Sequence, residues 1–251
     1  MSRLEDIKQL VAQSDRMVRE TESVTGLERS IRWAELSKDL PASPDPLQKP
    51  NVLFVPGLTI KPWYDTADFP WTRTLEDHYL DVKEELSVYL QSGPTLHNYS
   101  DGLRQIAAPG TWKFIPLAHY DRKDPLTERF PKTWELVQQV PRCTSSSGFS
   151  LLVPGAHIRR HTGPLNTRLI VHLGLDVPSG TSFRVGNETR TWQEGKALIF
   201  DDSFQHEVWH EGSTPRTILL VVFYHPDLTD AEVQVIEQME YIRRAKRQMQ
   251  E

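Results

Sequence analysis

The sequence has one cysteine, no long apolar run and no excess of basic charge, and each shortage removes a class of function. Cys143 is the single cysteine among 251 residues, so no disulfide can form within the chain, which fits a reducing compartment. No stretch reaches the roughly 18 consecutive apolar residues of a membrane span. Met1 to Glu20 alternates charged and apolar residues without the apolar core of a secretory leader. A cytoplasmic protein with no membrane contact is therefore expected. Lys and Arg number 29 against 34 Asp and Glu, for a net charge of -5. That balance offers nothing to hold a phosphate backbone, and nucleic acid is not an expected partner. Asn98-Tyr99-Ser100 and Asn187-Glu188-Thr189 match glycosylation acceptors, but without a leader they are read as chance.

What is present describes an ordinary globular chain, with 38% hydrophobic and 25% charged residues. A single domain of residues 1–251 can bury a sizeable core, divided into an N-terminal helical segment and connector (1–50), a main body (51–227) and a C-terminal helix (228–251). Ser2 and Glu5 have capping-box spacing, and Leu4, Ile7, Leu10, Val11 and Val18 share one stripe. A second short helix through Leu27, Ile31, Ala34 and Leu40 stops at Pro41, Pro44, Pro46 and Pro50, which impose an extended connector. This hairpin is expected to lie as a lid on the body, with a homodimer contact as the alternative. A third helix is predicted over Leu75 to Leu90.

After Gly110 short apolar runs alternate with Gly, Pro, Asn and Asp. Strands are predicted at Trp112–Leu117, Phe149–Val153, Arg168–Leu175, Thr181–Val185, Ala197–Phe200 and Thr217–Tyr224. The fold class is mainly β with flanking helices, a sandwich or jelly roll. The polar run Thr144-Ser145-Ser146-Ser147 reads as a mobile loop able to serve as a lid, and Cys143 beside it has no activating neighbour. A closing helix starts at a second capping box, Thr229 and Glu232, and ends in Arg243, Arg244, Lys246 and Arg247, a cluster that answers the helix dipole. Trp63, Trp71, Trp112 and Trp134 are read as packing.

Nine histidines allow several metal pairings. His157 and His161 are four apart, as are His206 and His210, but Pro154-Gly155, Gly163-Pro164 and Gly212 argue against helices at either place. On a strand such pairs are about 13 Å apart, far beyond ligand distances near 2 Å. A shared ion would need one member of each pair meeting across the fold. The ordinary alternative for each is a hydrogen-bonded structural histidine.

From about Phe149 to Pro226 the chain resembles the aspartyl/asparaginyl β-hydroxylases. The resemblance runs through His161-Thr162-Gly163-Pro164, Asn166, Arg168, His172-Leu173-Gly174-Leu175, Trp192, Phe200-Asp201-Asp202-Ser203, His206-Glu207-Val208, Arg216 and His225-Pro226. It implies a double-stranded β-helix, or cupin-like jelly roll, that uses Fe(II), 2-oxoglutarate and O2 to hydroxylate an unactivated C–H bond, with succinate and CO2 as coproducts. His161 and His206 become the metal ligands. Gly163 stands where the wider group of such oxygenases has a carboxylate ligand, a gap these hydroxylases share. Asp202 becomes a catalytic acceptor near the iron. Arg216 becomes the fork for the distal carboxylate of 2-oxoglutarate, with Ser150, Leu152 and His172 beside it. Arg168, Arg159, Arg160 and Trp209 are substrate candidates. Ile170 replaces the family's second substrate arginine, so a small-molecule substrate is expected: a free or carrier-bound amino acid or a natural-product intermediate. The alternatives are a peptide or protein hydroxylase, a halogenase exploiting Gly163, a zinc hydrolase, and a non-catalytic binding jelly roll.

Overall fold

The computed structural model describes residues 42–52, 54–99, 106–119, 122–234 and 236–237. The expected N-terminal helices and the basic cluster from Arg243 to Arg247 lie outside them. Among the described residues no helix is long and apolar enough to cross a membrane.

Among the described residues twelve strands form two sheets. They are β1 (Trp63–Tyr64), β2 (His97–Asn98), β3 (Trp112–His119), β4 (Arg122–Lys123), β5 (Cys143–Leu152), β6 (His157–His161), β7 (Arg168–Asp176), β8 (Thr181–Val185), β9 (Glu188–Arg190), β10 (Ala197–Phe200), β11 (His206–His210) and β12 (Arg216–Tyr224). The major sheet runs β1-β10-β7-β12-β5-β3-β2, with β4 on β3, and the minor sheet runs β6-β11-β8-β9. This is the expected jelly roll.

Side-chain alternation along the major strands divides the interior in two. One face of the sheet, with Ile115, Leu117, Phe149, Leu151, Leu169, Val171, Leu219 and Val221, packs under three helices, α1 (Thr72–Asp77), α2 (Tyr79–Gln91) and α3 (Pro131–Gln138). The opposite face, with Leu152, Phe200 and Ile218, meets Ile158, Phe183, Val185 and Val208 of the minor sheet. The space between the sheets is therefore lined by the even-numbered side chains of β7 and β12.

The single helix predicted over Leu75 to Leu90 is two, broken at His78; Leu75, Val82, Leu86 and Tyr89 are its buried stripe. The Glu85 carboxylate accepts from the Lys132 and Thr133 amides, each at 2.9 Å, and so caps α3. The serine run is not a loop. It lies inside β5, where Ser147 pairs with Val221 and Ala118 and is buried, because neighbours on both sides satisfy its backbone whatever its side chains are. Burial pushes the Cys143 thiol up to about 12, leaving it unreactive. The capping box at Thr229 is formed: its amide donates to Glu232 Oε2 at 2.9 Å, and the Glu232 amide donates back to Thr229 Oγ1 at 3.2 Å.

Candidate active site

His161 ends β6 and His206 begins β11, and the two are direct cross-strand partners. Their ring centroids are 4.0 Å apart. One histidine from each four-apart pair has thus met the other across the fold. His161 Nδ1 donates to the Arg159 carbonyl at 2.8 Å, and His206 Nδ1 donates to the Phe204 carbonyl at 2.9 Å. With each Nδ1 proton committed to a carbonyl, the lone pairs of both Nε2 atoms are left for a ligand. Burial, then for His161 the neighbouring ring of His206, lowers both pKa values to about 4, so the rings are neutral at pH 7. Among the described residues, no three His, Cys, Asp or Glu side chains are grouped to hold a metal.

Gly163 explains the geometry beside the pair. A Cβ built there would lie 2.1 Å from Asp202 Oδ2 and 2.5 Å from Oδ1. The space a side chain at 163 needs is filled by the carboxyl group of Asp202, and the Gly163 amide donates to the Asp202 carbonyl at 2.6 Å. Asp202 is buried, and its Oδ1 has no hydrogen-bond partner. Burial raises its pKa, while Arg168 and His161 pull it down. Arg168 is itself buried, at the start of β7.

Arg216 begins β12 and is 2% exposed. Its Nη1 donates to the Ser150 carbonyl at 3.3 Å, its Nε has no partner, and its guanidinium lies over the Trp192 ring at 4.6 Å. Burial lowers its pKa to about 9. Ser150 and Leu152 lie on the adjacent β5, with Leu152 the direct strand partner of Arg216. Ser150 Oγ accepts from Trp112 Nε1 at 3.0 Å, which leaves its own proton to donate. His172 Nδ1 accepts from Trp192 Nε1 at 3.2 Å. The His172 proton is therefore on Nε2, which is buried and has no partner. A guanidinium, an imidazole N–H and a hydroxyl thus stand in a buried space where no carboxylate among the described residues pairs with them, an arrangement that asks for an anionic ligand.

Two candidates lie elsewhere. Trp209 alternates with His206 and Val208 and faces outward, stacked on the half-exposed His157 at 5.5 Å with Arg184 over its ring. Arg160 also turns to that outer face, 3.8 Å from Glu207, which accepts from His157 and Arg184. The exposed Arg159 contributes its carbonyl to His161. Trp192 was missed by sequence reasoning as a working residue. It serves both His172 and Arg216, and its only local signal is a tryptophan inside the polar run Thr191 to Gly195.

The family profile described as Aspartyl/Asparaginyl beta-hydroxylase matches residues 76–226. An ornithine lipid ester-linked acyl 2-hydroxylase of Rhizobium tropici is 40% identical over 172 residues, covering 66% of this chain and 61% of that protein. The human aspartyl/asparaginyl beta-hydroxylase is 33% identical over 213 residues, covering 81% of this chain and 28% of that protein. The chain thus spans under two thirds of either relative. Among solved structures, a Pseudomonas putida prolyl-4-hydroxylase overlays distantly, with a TM-score of 0.42 and 13% identity over 61% of this chain and 98% of that one.

Proposed function

The chain belongs to the aspartyl/asparaginyl β-hydroxylase family, and on that premise we propose that it is an iron(II)- and 2-oxoglutarate-dependent hydroxylase. The observation that carries this reading is the pairing of two neutral imidazoles with a buried, unanswered guanidinium on facing sheets. His161 and His206 would hold the iron through Nε2. Arg216, Ser150 Oγ–H and His172 Nε2–H would hold the carboxylates of 2-oxoglutarate. When bound, iron(II), 2-oxoglutarate and O2 together supply an oxidant that places one oxygen atom on a C–H carbon and the other in succinate, with loss of CO2.

The chain's own share is orientation and exclusion of water. Trp192 fixes the His172 tautomer and lies under Arg216, so both donors are set before the ligand arrives. The wall formed by Phe183, Trp192 and Phe200, all buried, dries the space and strengthens every charge contact in it. Asp202 offers a partnerless oxygen beside His161 as acceptor for a water or a polar substrate proton.

The substrate class follows from chemistry common to the two relatives' names. The β carbon of an aspartyl residue and C2 of an ester-linked acyl chain are both bonded to the carbon of a carboxyl-derived carbonyl. We propose that this chain hydroxylates the same kind of carbon in a small carboxylate, amide or ester, with the buried Arg168 facing the carbonyl oxygen. Amino acids, carrier-bound or free, fall in that class. Hydroxylation is favoured over halogenation because the space at Gly163 is already held by Asp202.

The deciding assay loads the protein anaerobically with iron(II) and 2-oxoglutarate, admits ¹⁸O₂, and follows succinate with amino acids, aspartyl peptides and acyl esters. Succinate stimulated by one of them, with ¹⁸O beside its carbonyl, is the expected result. Failure of every one to stimulate turnover sinks the substrate class, and absence of even uncoupled succinate sinks the oxygenase reading.

A further inference from the structure

The proline-rich stretch before β1 would pass as a linker, yet its hydrogen bonds go to the two turns that carry the paired histidines. From the turn after His161, the Thr162 carbonyl accepts from Asn51 Nδ2 at 3.1 Å, the Gly163 carbonyl from the Asn51 amide at 3.3 Å, and the Pro164 carbonyl from the Val52 amide at 3.0 Å. From the turn before His206, the Ser203 carbonyl accepts from the Lys49 amide at 2.9 Å, and the Gln205 amide donates to the Leu47 carbonyl at 2.8 Å. One segment, residues 47–52, thereby satisfies backbone groups on both turns, at the place where the β6–β11 ladder shifts register between His206 and Val208. It lies wholly before the matched residues 76–226.

The segment is anchored by a buried amide. Gln48 is 2% exposed. Its Nε2 donates to Asp201 Oδ2 at 2.9 Å and Ser203 Oγ at 3.1 Å, and its Oε1 accepts from Ser43 Oγ at 2.6 Å. Asp201 Oδ1 in turn accepts from the Ser203 amide at 2.8 Å. Gln48 therefore fixes the turn Asp201-Asp202-Ser203, whose middle residue fills the space at Gly163 and whose far end leads into His206. Freed from this strap, the turn after His161 would lose three bonds and the turn before His206 would keep its own Ser203 amide bond to Asp201 Oδ1, the Asp201 amide bond to the Pro62 carbonyl and the Gly163 amide bond to the Asp202 carbonyl.

We propose that residues 47–52 form a strap whose Gln48 and Asn51 are positioning residues, setting the separation of the His161 and His206 imidazoles for a metal. This rests on the proposed two-histidine metal site, and the test keeps the two ideas apart. Anaerobic titrations with iron(II) alone, and with cobalt(II) read by its visible bands, would compare wild type, Gln48→Glu, Asn51→Asp, and the exchange Gln48→Glu with Asp201→Asn. Both single changes keep volume and replace a donor by an oxygen; the exchange restores a donor opposite an acceptor. Circular dichroism would fix a temperature at which every variant is folded. The expected result is metal affinity about tenfold or more weaker in each single variant, the scale seen when groups orienting metal ligands are removed, with altered cobalt bands and recovery in the exchange. Equal affinity and identical bands in folded single variants would overturn the strap alone, as would weak binding that the exchange fails to recover. No metal binding by wild type would overturn the two-histidine site and the strap with it. If Gln48→Glu does not fold, the variant at the less buried Asn51, Asn51→Asp, decides by the same readouts.

Discussion

Arg216 gives the sharpest test, because the same substitution should raise stability and remove ligand binding. Its guanidinium is 2% exposed with no carboxylate partner among the described residues, and burial lowers its pKa to about 9. Against an ordinary value above 12, at 1.36 kcal/mol for each pKa unit, this corresponds to about 5 kcal/mol of penalty on the charged form. Arg216→Met removes the charge while keeping an unbranched stem over Trp192. It also gives up the cation–π contact at 4.6 Å, worth about 2 kcal/mol when desolvated, and a long hydrogen bond to the Ser150 carbonyl worth about 1 kcal/mol at most. The balance favours the variant by about 2 kcal/mol, inside the range seen when buried charges are replaced by apolar side chains. For a chain of this size that is about 4 to 8 °C in Tm. Binding should move the other way. Loss of a buried charge partner costs about 2 to 5 kcal/mol, so the dissociation constant for 2-oxoglutarate should rise at least about 30-fold. Melting curves with and without 2-oxoglutarate read both effects, since a ligand that binds only the folded state raises Tm by mass action. Arg216→Lys, which keeps charge but loses the fork, should fall between. A Met variant that melts lower than wild type, yet still gains the full ligand-induced rise, would show that Arg216 serves packing and would refute the reasoning.

Three further outcomes follow from the same geometry. Gly163→Ala should destabilise the protein by about 1 to 3 kcal/mol through overpacking against Asp202, and Asp202→Gly in the same chain should recover most of it; effects that merely add in a double-mutant cycle would deny the contact. Because burial holds His161 and His206 near pKa 4, both are already deprotonated above pH 5.5, so metal binding there should release no proton from them and cobalt(II) affinity should weaken only as pH falls toward 4. A tenfold loss for each pH unit beginning near 6.5 would contradict that. Asp201 is held up to about 7 by burial, whereas the unfolded chain releases this proton near 4. Folded wild type thus retains a proton between pH 4 and 7 that the unfolded chain has lost, and its stabilisation from this group fades as pH rises through that window. Chemical denaturation should show Asp201→Asn gaining on wild type by up to about 4 kcal/mol from pH 4 to 7, and a difference flat in pH would refute the assignment.

The parts of the fold that were legible are those where one physical signal dominates. β8 and β10 sit where the sequence puts them because β8 is an alternation between Gly180 and Gly186 and β10 is a continuous apolar run ended by Asp201. β6 and β11 were illegible as strands: His157-Ile158-Arg159-Arg160-His161 carries one apolar inward residue and an extra residue where its pairing with β11 shifts register, and His206-Glu207-Val208-Trp209-His210 is too polar to stand out as an apolar run. The serine run failed for the opposite reason, since a strand with a neighbour on each side is held by its backbone and not by its side chains. Within the site, the impossibility of two strand histidines four apart sharing one ion was enough to send one of each pair across the fold. Local spacing said nothing of which nitrogen each ring would offer; that depends on the Arg159 and Phe204 carbonyls, whose positions only the fold supplies. Gln48 and Asn51 stand among prolines and look like linker, because a strap is defined by what it crosses. Gly163 shows the same limit most plainly. As a letter in a motif it is a missing carboxylate, but in space the room beside its Cα is filled by the carboxyl of Asp202. A glycine is therefore what that position requires, and the carboxyl that fills the room comes from the turn before the second histidine.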